Sequence, residues 1–522
     1  MIVGRFLSLP FLFLKYLLLP SIRDERGKTI PLDRPARLRF FLEDAGGLFV
    51  KFGDLLAMRF DLLPLAHAVQ LLNLRDHGGI TPAEKMFAVF HEEFGKPIHA
   101  VFESVNERPL IVSAFYQTYR ARLAGNDVAV KIQKPYIRER ASADLFVLRF
   151  ISSLIDDIGI FRRVALFGVI RQLEEWLSDE LDCRTEAKNS AALYDHAKRH
   201  HETDIVIPMI YTDFTKRRVL VRDYIPGIKV DAILAGLAEH SEETRKLIAA
   251  NDINLSKSAD HLVRDLLRQY FVDGFFHVNP YPYGLLLMSN NRFSHVDFGI
   301  IGRAAHSTAP LLTFFKASLN LDFYDAASAL VDFSREQTRK PFEHLLEHDE
   351  RSRDIFDRLL EAMKEKIAED ITSPLNQWNE TAGKHTQSHH TAAFFVSILT
   401  ILQRYKLSIP FDAIAFLRAL LMLELVGRRL NPSFDLKEPI RAFTRSVPLA
   451  TTPLASELPA EVPAADLPIN EFSSLRSMDV GPETTGEATV RSIERKGASH
   501  ERFAAWLSAV ADRHKELYNE IK

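Results

Sequence analysis

The stretch Phe275–Gly299, FFHVNPYPYGLLLMSNNRFSHVDFG, decides how the rest of the chain is read. A His-x-polar turn at His277–Asn279 leads into an apolar strand, Leu285–Met288. A polar turn, Ser289–Arg292, then leads into a second strand ending in Asp297-Phe298-Gly299. An Asp-Phe-Gly after a strand sets one carboxylate where it can meet a nucleotide-bound Mg²⁺, and the glycine lets the chain turn away. Yet Asn279 and Gly284 stand where phosphoryl transfer calls for a base and a second metal ligand.

The composition is that of an ordinary globular protein with a sizeable core, long enough for roughly two to four domains or one large two-lobed one. The net charge of −3 and the short basic runs, such as Lys216-Arg217-Arg218, give no field for nucleic acid. The single cysteine, Cys183, excludes an intrachain disulfide and a multi-cysteine zinc site, and suits an intracellular, cytoplasmic location.

Residues 1–30 form an apolar N-terminal segment. Within it, residues 2–19 are interrupted by Arg5, Pro10 and Lys15 and read as an interfacial or protein-packed helix, peripheral at a membrane, rather than a span or a cleaved signal. Residues 31–108 are helical by spacing: Leu38, Phe41, Leu42 and Ala45, then Phe49, Phe52, Leu55 and Leu56. At Pro109 the texture changes. Ile111–Leu123 and Asp127–Gln133 read as two strands joined at Ala124-Gly125-Asn126. The second carries Val128-Ala129-Val130-Lys131, whose alternation points a lysine toward the phosphates of a nucleotide; alone, such a lysine more often snorkels to solvent.

Helices are expected over Ile137–Ala197. There Glu180 and Asp182 do not share a face, whereas Glu186, four beyond Asp182, can share its face and offers the glutamate that fixes a strand lysine. Ile205–Pro208 and Arg218–Tyr224 read as further strands, with Asp223 and Tyr224 at a hinge for adenine. Residues 307–430 are helical, with loops expected near Thr372-Ser373-Pro374 and Lys384–His390, and the His385, His389 and His390 cluster reads as surface. Residues 446–498 are proline-dotted and polar, the composition of a disordered linker, before an amphipathic helix at 500–522 that would dock on the body or on a partner.

Several motifs agree in order. Lys51-Phe52-Gly53-Asp54, its continuation to Pro64, and Leu74-Arg75-Asp76 resemble the KxGQ helix and "LQD" of the UbiB/AarF-type atypical kinase family. Pro109-Leu110 and Gln117–Leu123 match the frame of that family's alanine-rich nucleotide loop, and Val128–Lys131 its lysine strand. Glu180-Leu181-Asp182 and Glu186-Ala187-x-Asn189 resemble its ExD motif and paired glutamate. Asp273–His277 with Asp297–Gly299 resemble its catalytic hairpin, and Arg418-Ala419-Leu420 with Gly427–Pro432 its closing helices.

The resemblance, over roughly residues 40–435, implies an α+β, protein-kinase-like two-lobed fold. A helical KxGQ-type extension over the active site would block protein substrates. An N-lobe with inserted helices would span 109–225 and a helical C-lobe 226–440. It implies ATP and Mg²⁺ as cofactors, a role in quinone or isoprenoid-lipid biosynthesis, and a lipid surface or protein partners. It assigns Lys131, Glu186, Asp223, Tyr224, Ser113 and Ala114 to the nucleotide, Asp297 to the metal, and Asn279, Lys131 and Asp297 to the catalytic positions. Lys51, Asp54, Glu180 and Asp182 take the regulatory KxGQ and ExD positions.

Four departures separate the chain from that pattern. Asn279 replaces the catalytic aspartate and cannot accept a proton at neutral pH; Gly284 replaces the metal-binding asparagine. Ile111–Tyr116 replaces the alanine-rich loop with side chains that resist close phosphate approach, and Asp54 replaces the glutamine of KxGQ. The expectation is a nucleotide-binding pseudokinase or very weak ATPase. The alternatives are an active ATPase or kinase that tolerates Asn279 and a kinase-fold scaffold that binds no nucleotide.

Overall fold

The computed structural model describes residues 2–19, 21–23, 29–57, 63, 65–74, 78–158, 163–200, 202–304, 308–380, 390–447, 499–512 and 514. Met58–Leu62, Pro64, Arg75, Asp76, His385, His389 and nearly all of the 446–498 linker lie outside the described residues.

Helix α1 (Ile2–Leu18) packs on α2 (Arg34–Ala45) across a small hairpin, β1 (Ser21–Arg23) and β2 (Thr29–Pro31). Leu9 and Tyr16 are buried, while Phe11, Phe13, Leu14 and Leu18 are exposed. Among the described residues no helix is long and apolar enough to cross a membrane. Asp33 caps α2 by accepting from the Ala36 N–H at 2.8 Å. Helix α3 (Leu48–Leu56) then runs against α2 and α4 (Leu65–Leu71). A Cβ on Gly53 would sit 2.5 Å from Leu74 Cδ1 and 2.9 Å from Leu42 Cδ1, so only glycine lets α3 come this close.

Helix α5 (Ala83–Phe94) backs an antiparallel sheet of five strands: β3 (Ser104–Val105), β4 (Ile111–Val112), β5 (Tyr116–Leu123), β6 (Asn126–Gln133) and β7 (Val219–Asp223). Val128, Val130 and Ile132 of β6 pack with Met86, Val89 and Phe90 of α5, which turns Lys131 and Gln133 to the opposite face. The single strand expected over Ile111–Leu123 is broken at Ser113–Phe115. There the Ser113 N–H donates to Tyr116 O at 2.9 Å and closes a tight turn instead of continuing the ladder. The strand expected at Ile205–Pro208 is only an isolated bridge, Ile205 to Phe293, made by the Val206 N–H donating to Phe293 O and the Phe293 N–H to Asp204 O, both at 2.8 Å; Pro208 has no amide to extend it.

Between β6 and β7 run α6 (Ile137–Ile158), α7 (Arg163–Glu180) and α8 (Cys183–Arg199). The lower lobe holds β8 (Ile228–Lys229), α9 (Val230–Ala238), α10 (Glu242–Ala250) and α11 (Leu255–Arg268), which runs into a π-helical turn at Gln269–Asp273. The hairpin follows as β9 (Phe275–His277), β10 (Leu285–Leu287), β11 (Phe293–His295) and β12 (Ile301–Arg303). β10 lies between β8 and β11, and β9 pairs with β12.

Helices α12 (Ala309–Asn320), α13 (Phe323–Arg339), α14 (Glu343–His348), α15 (Glu350–Glu380), α16 (His390–Arg404), α17 (Phe411–Leu430) and α18 (Lys437–Ser446) complete the lobe. The loop expected at Thr372-Ser373-Pro374 is absent: α15 passes through Pro374. Ile371, Leu375 and Trp378, all buried, hold the turns on either side of the lost amide. The helical residues 499–512 dock on this lobe, with Phe503 and Trp506 against Phe342 and the Trp506 Nε1–H donating to Lys406 O at 3.1 Å. A small antiparallel sheet above a helical lobe, with a helical extension across both, is a protein-kinase-like two-lobed α+β fold.

Candidate functional site

The inward face of β6 sets Lys131 Nζ 2.6 Å from Glu186 Oε2 and 3.5 Å from Asp297 Oδ1. Glu186 stands at the start of α8 because Asp182 caps that helix, accepting from the Arg184 N–H at 2.9 Å. Asp182 is thereby drawn into a pair with Arg184 and stays out of the lysine cluster. Burial works against the Lys131 charge, but the Asp297 and Glu186 carboxylates outweigh it and raise its pKa. The ammonium also lies 4.5 Å from the centroid of the Tyr116 ring.

Below it, Asp297 is oriented by its own turn: Oδ1 accepts from the Gly299 N–H at 2.9 Å, and His277 Nε2 contacts the Asp297 carbonyl. Asn189 Nδ2–H donates to Phe298 O at 3.0 Å and ties the turn to α8. Its surroundings push the Asp297 carboxyl up, but Lys131, Lys51 and the Gly299 N–H hold it well below the usual carboxylate range. The side chain is about half-exposed, so an ionised carboxylate is open to solvent beside Lys131. Buried beside His295, which stacks on it at 4.3 Å, the His277 imidazole is pushed down to about 3 and is neutral.

Helix α3 enters this site from the extension. Lys51 Nζ lies 3.1 Å from Glu180 Oε1, and Glu180 Oε2 lies against Gly299, where a Cβ would be 3.0 Å away. One turn on, Asp54 accepts from the Tyr281 hydroxyl and faces Arg418 Nη2 at 3.4 Å. The same Nη2–H reaches the Tyr281 oxygen at 2.7 Å, and Arg418 Nη1–H donates to Asn279 Oδ1. Arg418 has no exposed surface, and Asp54, Tyr281 and Asn279 form a polar box around its two Nη groups, while its buried Nε makes no hydrogen bond among the described residues. Burial raises the Tyr281 pKa, so its hydroxyl keeps the proton it donates. The Gly284 N–H donates to Tyr281 O at 2.9 Å, so the hairpin offers Asp297 as its carboxylate for a metal and nothing at position 284.

A cleft of about 100 Å³ separates the lobes, lined among others by Ile111, Ala129, Asp223, Tyr224, Gly227 and Leu286. Its walls are a sheet face, the chain crossing between the lobes and, from below, Leu286, His295 and Val296 of the hairpin, a slot for a flat ring. The Asp223 N–H donates to Met209 O at 3.0 Å and the Tyr224 N–H to Asp127 O at 3.1 Å; neither amide is left for a ring.

The Ile111–Tyr116 turn fits phosphate poorly. Besides the Ser113 N–H, the Phe115 and Tyr116 N–H groups donate to Ser113 Oγ at 3.3 and 3.1 Å. Neither Ser113 nor Ala114 lines the cleft. From outside, Lys134 Nζ donates to Ser113 O at 2.6 Å, and Gly78 packs so close that a Cβ there would lie 1.8 Å from Ser113 O.

The polar box was not visible from motifs alone. Arg418 sits inside the apolar run Phe416–Leu423, and a cation in such a run is the signal that a buried carboxylate waits for it.

Residues 73–329 match the ABC1 atypical kinase-like domain. A "Probable protein kinase UbiB" of Pseudomonas fluorescens is 31% identical over 285 residues, covering 53% of this chain and 50% of that protein. An uncharacterised aarF domain-containing chloroplastic protein kinase of Arabidopsis thaliana is 25% identical over 415 residues, 77% of this chain and 73% of the relative. A Mycobacterium tuberculosis protein solved in complex with erythromycin aligns at a TM-score of 0.41 and 18% identity, over 73% of this chain and 91% of that one. The chain spans 37% to 50% of the length of four of the curated relatives it matches.

Proposed function

The chain belongs to the UbiB/AarF-type family of ABC1 atypical kinase-like proteins, and from that premise we propose that it binds a nucleotide without efficient phosphoryl transfer. One observation carries this reading. The Lys131–Glu186–Asp297 cluster is kept, while the amide oxygen of Asn279 is held by Arg418 and position 284 has no side chain. Asp297 and Lys131 would meet Mg²⁺ and the phosphates, and the slot beneath Ala129 would take the base. When bound, Mg²⁺ would neutralise phosphate charge; transfer also requires a positioned base, which an amide does not supply.

The closed Ile111–Tyr116 turn supports weak phosphate contact. By family resemblance the protein would serve quinone or isoprenoid-lipid metabolism, with the exposed face of α1 toward a lipid surface. Lys51 and Asp54 would fasten the extension where a peptide substrate would otherwise enter.

Thermal unfolding with and without Mg-ATP tests the nucleotide. Ligand at a hundred times its Kd adds about 2.7 kcal/mol. A shift in the wild type that shrinks in Lys131→Ala and Asp297→Asn is the expected result. No shift at millimolar nucleotide overturns the reading, and steady turnover abolished by Asp297→Asn overturns the inactive assignment.

A further inference from the structure

Beneath the hairpin, away from the cleft, lies a group of side chains that the kinase-like site does not use. His196 and His200 stand one turn apart on α8, and Asp273 closes the π-helical turn that leads into β9. His196 Nδ1 lies 3.4 Å from Asp273 Oδ1, and His200 Nε2 lies 3.6 Å from the same oxygen. The ligand atoms of the three residues all fall within 4.8 Å of one another. In a tetrahedral zinc site with bonds of about 2.0–2.1 Å, neighbouring donor atoms stand about 3.3–3.4 Å apart. The cluster is therefore within a small side-chain adjustment of coordination geometry.

Two further observations point to a missing cation. His196 is 2% exposed and Asp273 0% exposed, yet neither His196 Nδ1 nor Asp273 Oδ1 makes a hydrogen bond among the described residues. Buried polar atoms are almost always satisfied, and these two face each other with their donor and acceptor directions unmatched. The surrounding charge is also unbalanced. Arg268 is the guanidinium of this pocket, and it contacts three carboxylates: Asp273 through Oδ2, Asp265 at 2.8 Å and Glu202 at 3.4 Å. One guanidinium thus serves three carboxylates, with His295 Nε2 also 3.8 Å from Asp265 Oδ2, and Asp273 Oδ1 is left facing only the two imidazoles among the described residues.

We propose that His196, His200 and Asp273 bind a divalent first-row transition metal, with Zn²⁺ the best match to two imidazoles and a carboxylate. Asp273 ligates through Oδ1 while Arg268 holds Oδ2 and fixes the carboxylate, the outer-shell support that metal-bound carboxylates need. His200 is about a third exposed and gives the ion its way in from solvent. The consequence is mechanical. Helix α8 carries Glu186 one end and the histidines at the other, so the metal pins the helix of the lysine pair to the root of the hairpin that carries His277 and Asp297. The proposal is independent of nucleotide binding.

The test uses the full chain, stripped with a chelator and titrated with Zn²⁺ against a competing indicator; bound metal is counted by mass spectrometry. Co²⁺ serves as a spectroscopic probe of the ligand field. One ion per chain is expected, with affinity falling about 10-fold or more in His200→Ala, whose position at the rim spares the fold. His389→Ala, in the histidine-rich segment before α16, is expected to leave binding unchanged. A stoichiometry well below one, equal affinity in the wild type and His200→Ala, or loss of the ion in His389→Ala instead, each overturns the site.

Discussion

Asp54→Asn tests whether the polar box around Arg418 is an ion pair or a set of neutral hydrogen bonds. Arg418 and the Asp54 side chain are 0% and 3% exposed, and Asp54 is the carboxylate in contact with that guanidinium. Burial raises the Asp54 pKa, and Arg418, Lys51 and the Tyr281 hydroxyl pull it back only in part, so a charge in this box is costly. Removing one partner of such a pair strands the other and costs about 3–5 kcal/mol. Arg418 keeps the Tyr281 and Asn279 oxygens, which places the expected loss near the lower end, about 3 kcal/mol. Asn279→Asp alone sets two carboxylates on one guanidinium and is also destabilising. The double variant, Asp54→Asn with Asn279→Asp, returns to one of each. Urea unfolding of the four proteins at neutral pH gives the coupling energy, expected at about 1–3 kcal/mol in favour of the double variant. Additivity within about 0.5 kcal/mol, or a loss under about 1 kcal/mol for Asp54→Asn, would refute an ionised pair.

Acid titration addresses His277, whose folded pKa of about 3 lies far below its ordinary 6.5. The unfolded chain binds the extra proton between these values, so stability is full above about pH 6.5 and falls as pH drops toward 3. Between pH 7.5 and 5 the loss is about 2 kcal/mol, and a flat profile in the wild type would refute it. His277→Gln is expected to flatten this part of the curve. On α1, Phe11 and Leu18 are 72% and 70% exposed. Phe11→Asp with Leu18→Asp should abolish co-sedimentation with anionic vesicles while moving stability by no more than about 0.5 kcal/mol per site. Equal sedimentation of wild type and variant would remove α1 from the membrane reading.

Much of this site was legible because its parts are local. The alternation of Val128–Gln133 turns Lys131 inward, and the spacing from Asp182 to Glu186 sets the glutamate one turn inside a capped helix. The apolar strand and polar turn before Asp297 mark the hairpin. What escaped reading depends on distant chain. Ser113 spends its neighbours' amides on itself because Gly78 and Lys134 press on it from outside. Pro374 stays helical because buried side chains flank it, a tertiary effect that a proline in sequence argues against.

The departures at Asn279 and Asp54, separate oddities in sequence, become one event in three dimensions. Arg418 is buried against one carboxylate, and the pattern that the chain resembles has an aspartate at position 279 and a glutamine at 54. Here the residue types are exchanged: the carboxylate comes from α3 and the amide from the hairpin, and both meet Arg418. Tyr281 fits the exchange, since its hydroxyl donates to Asp54 and accepts from Arg418 in the same box. The contacts of Asp54, Tyr281 and Asn279 with Arg418 thus form a clasp between the extension and the hairpin. A single Asn279→Asp change is therefore expected to give no phosphoryl transfer, because the guanidinium is already engaged and Gly284 has no side chain to offer a metal. Turnover from that one substitution would show that the clasp opens during the reaction cycle.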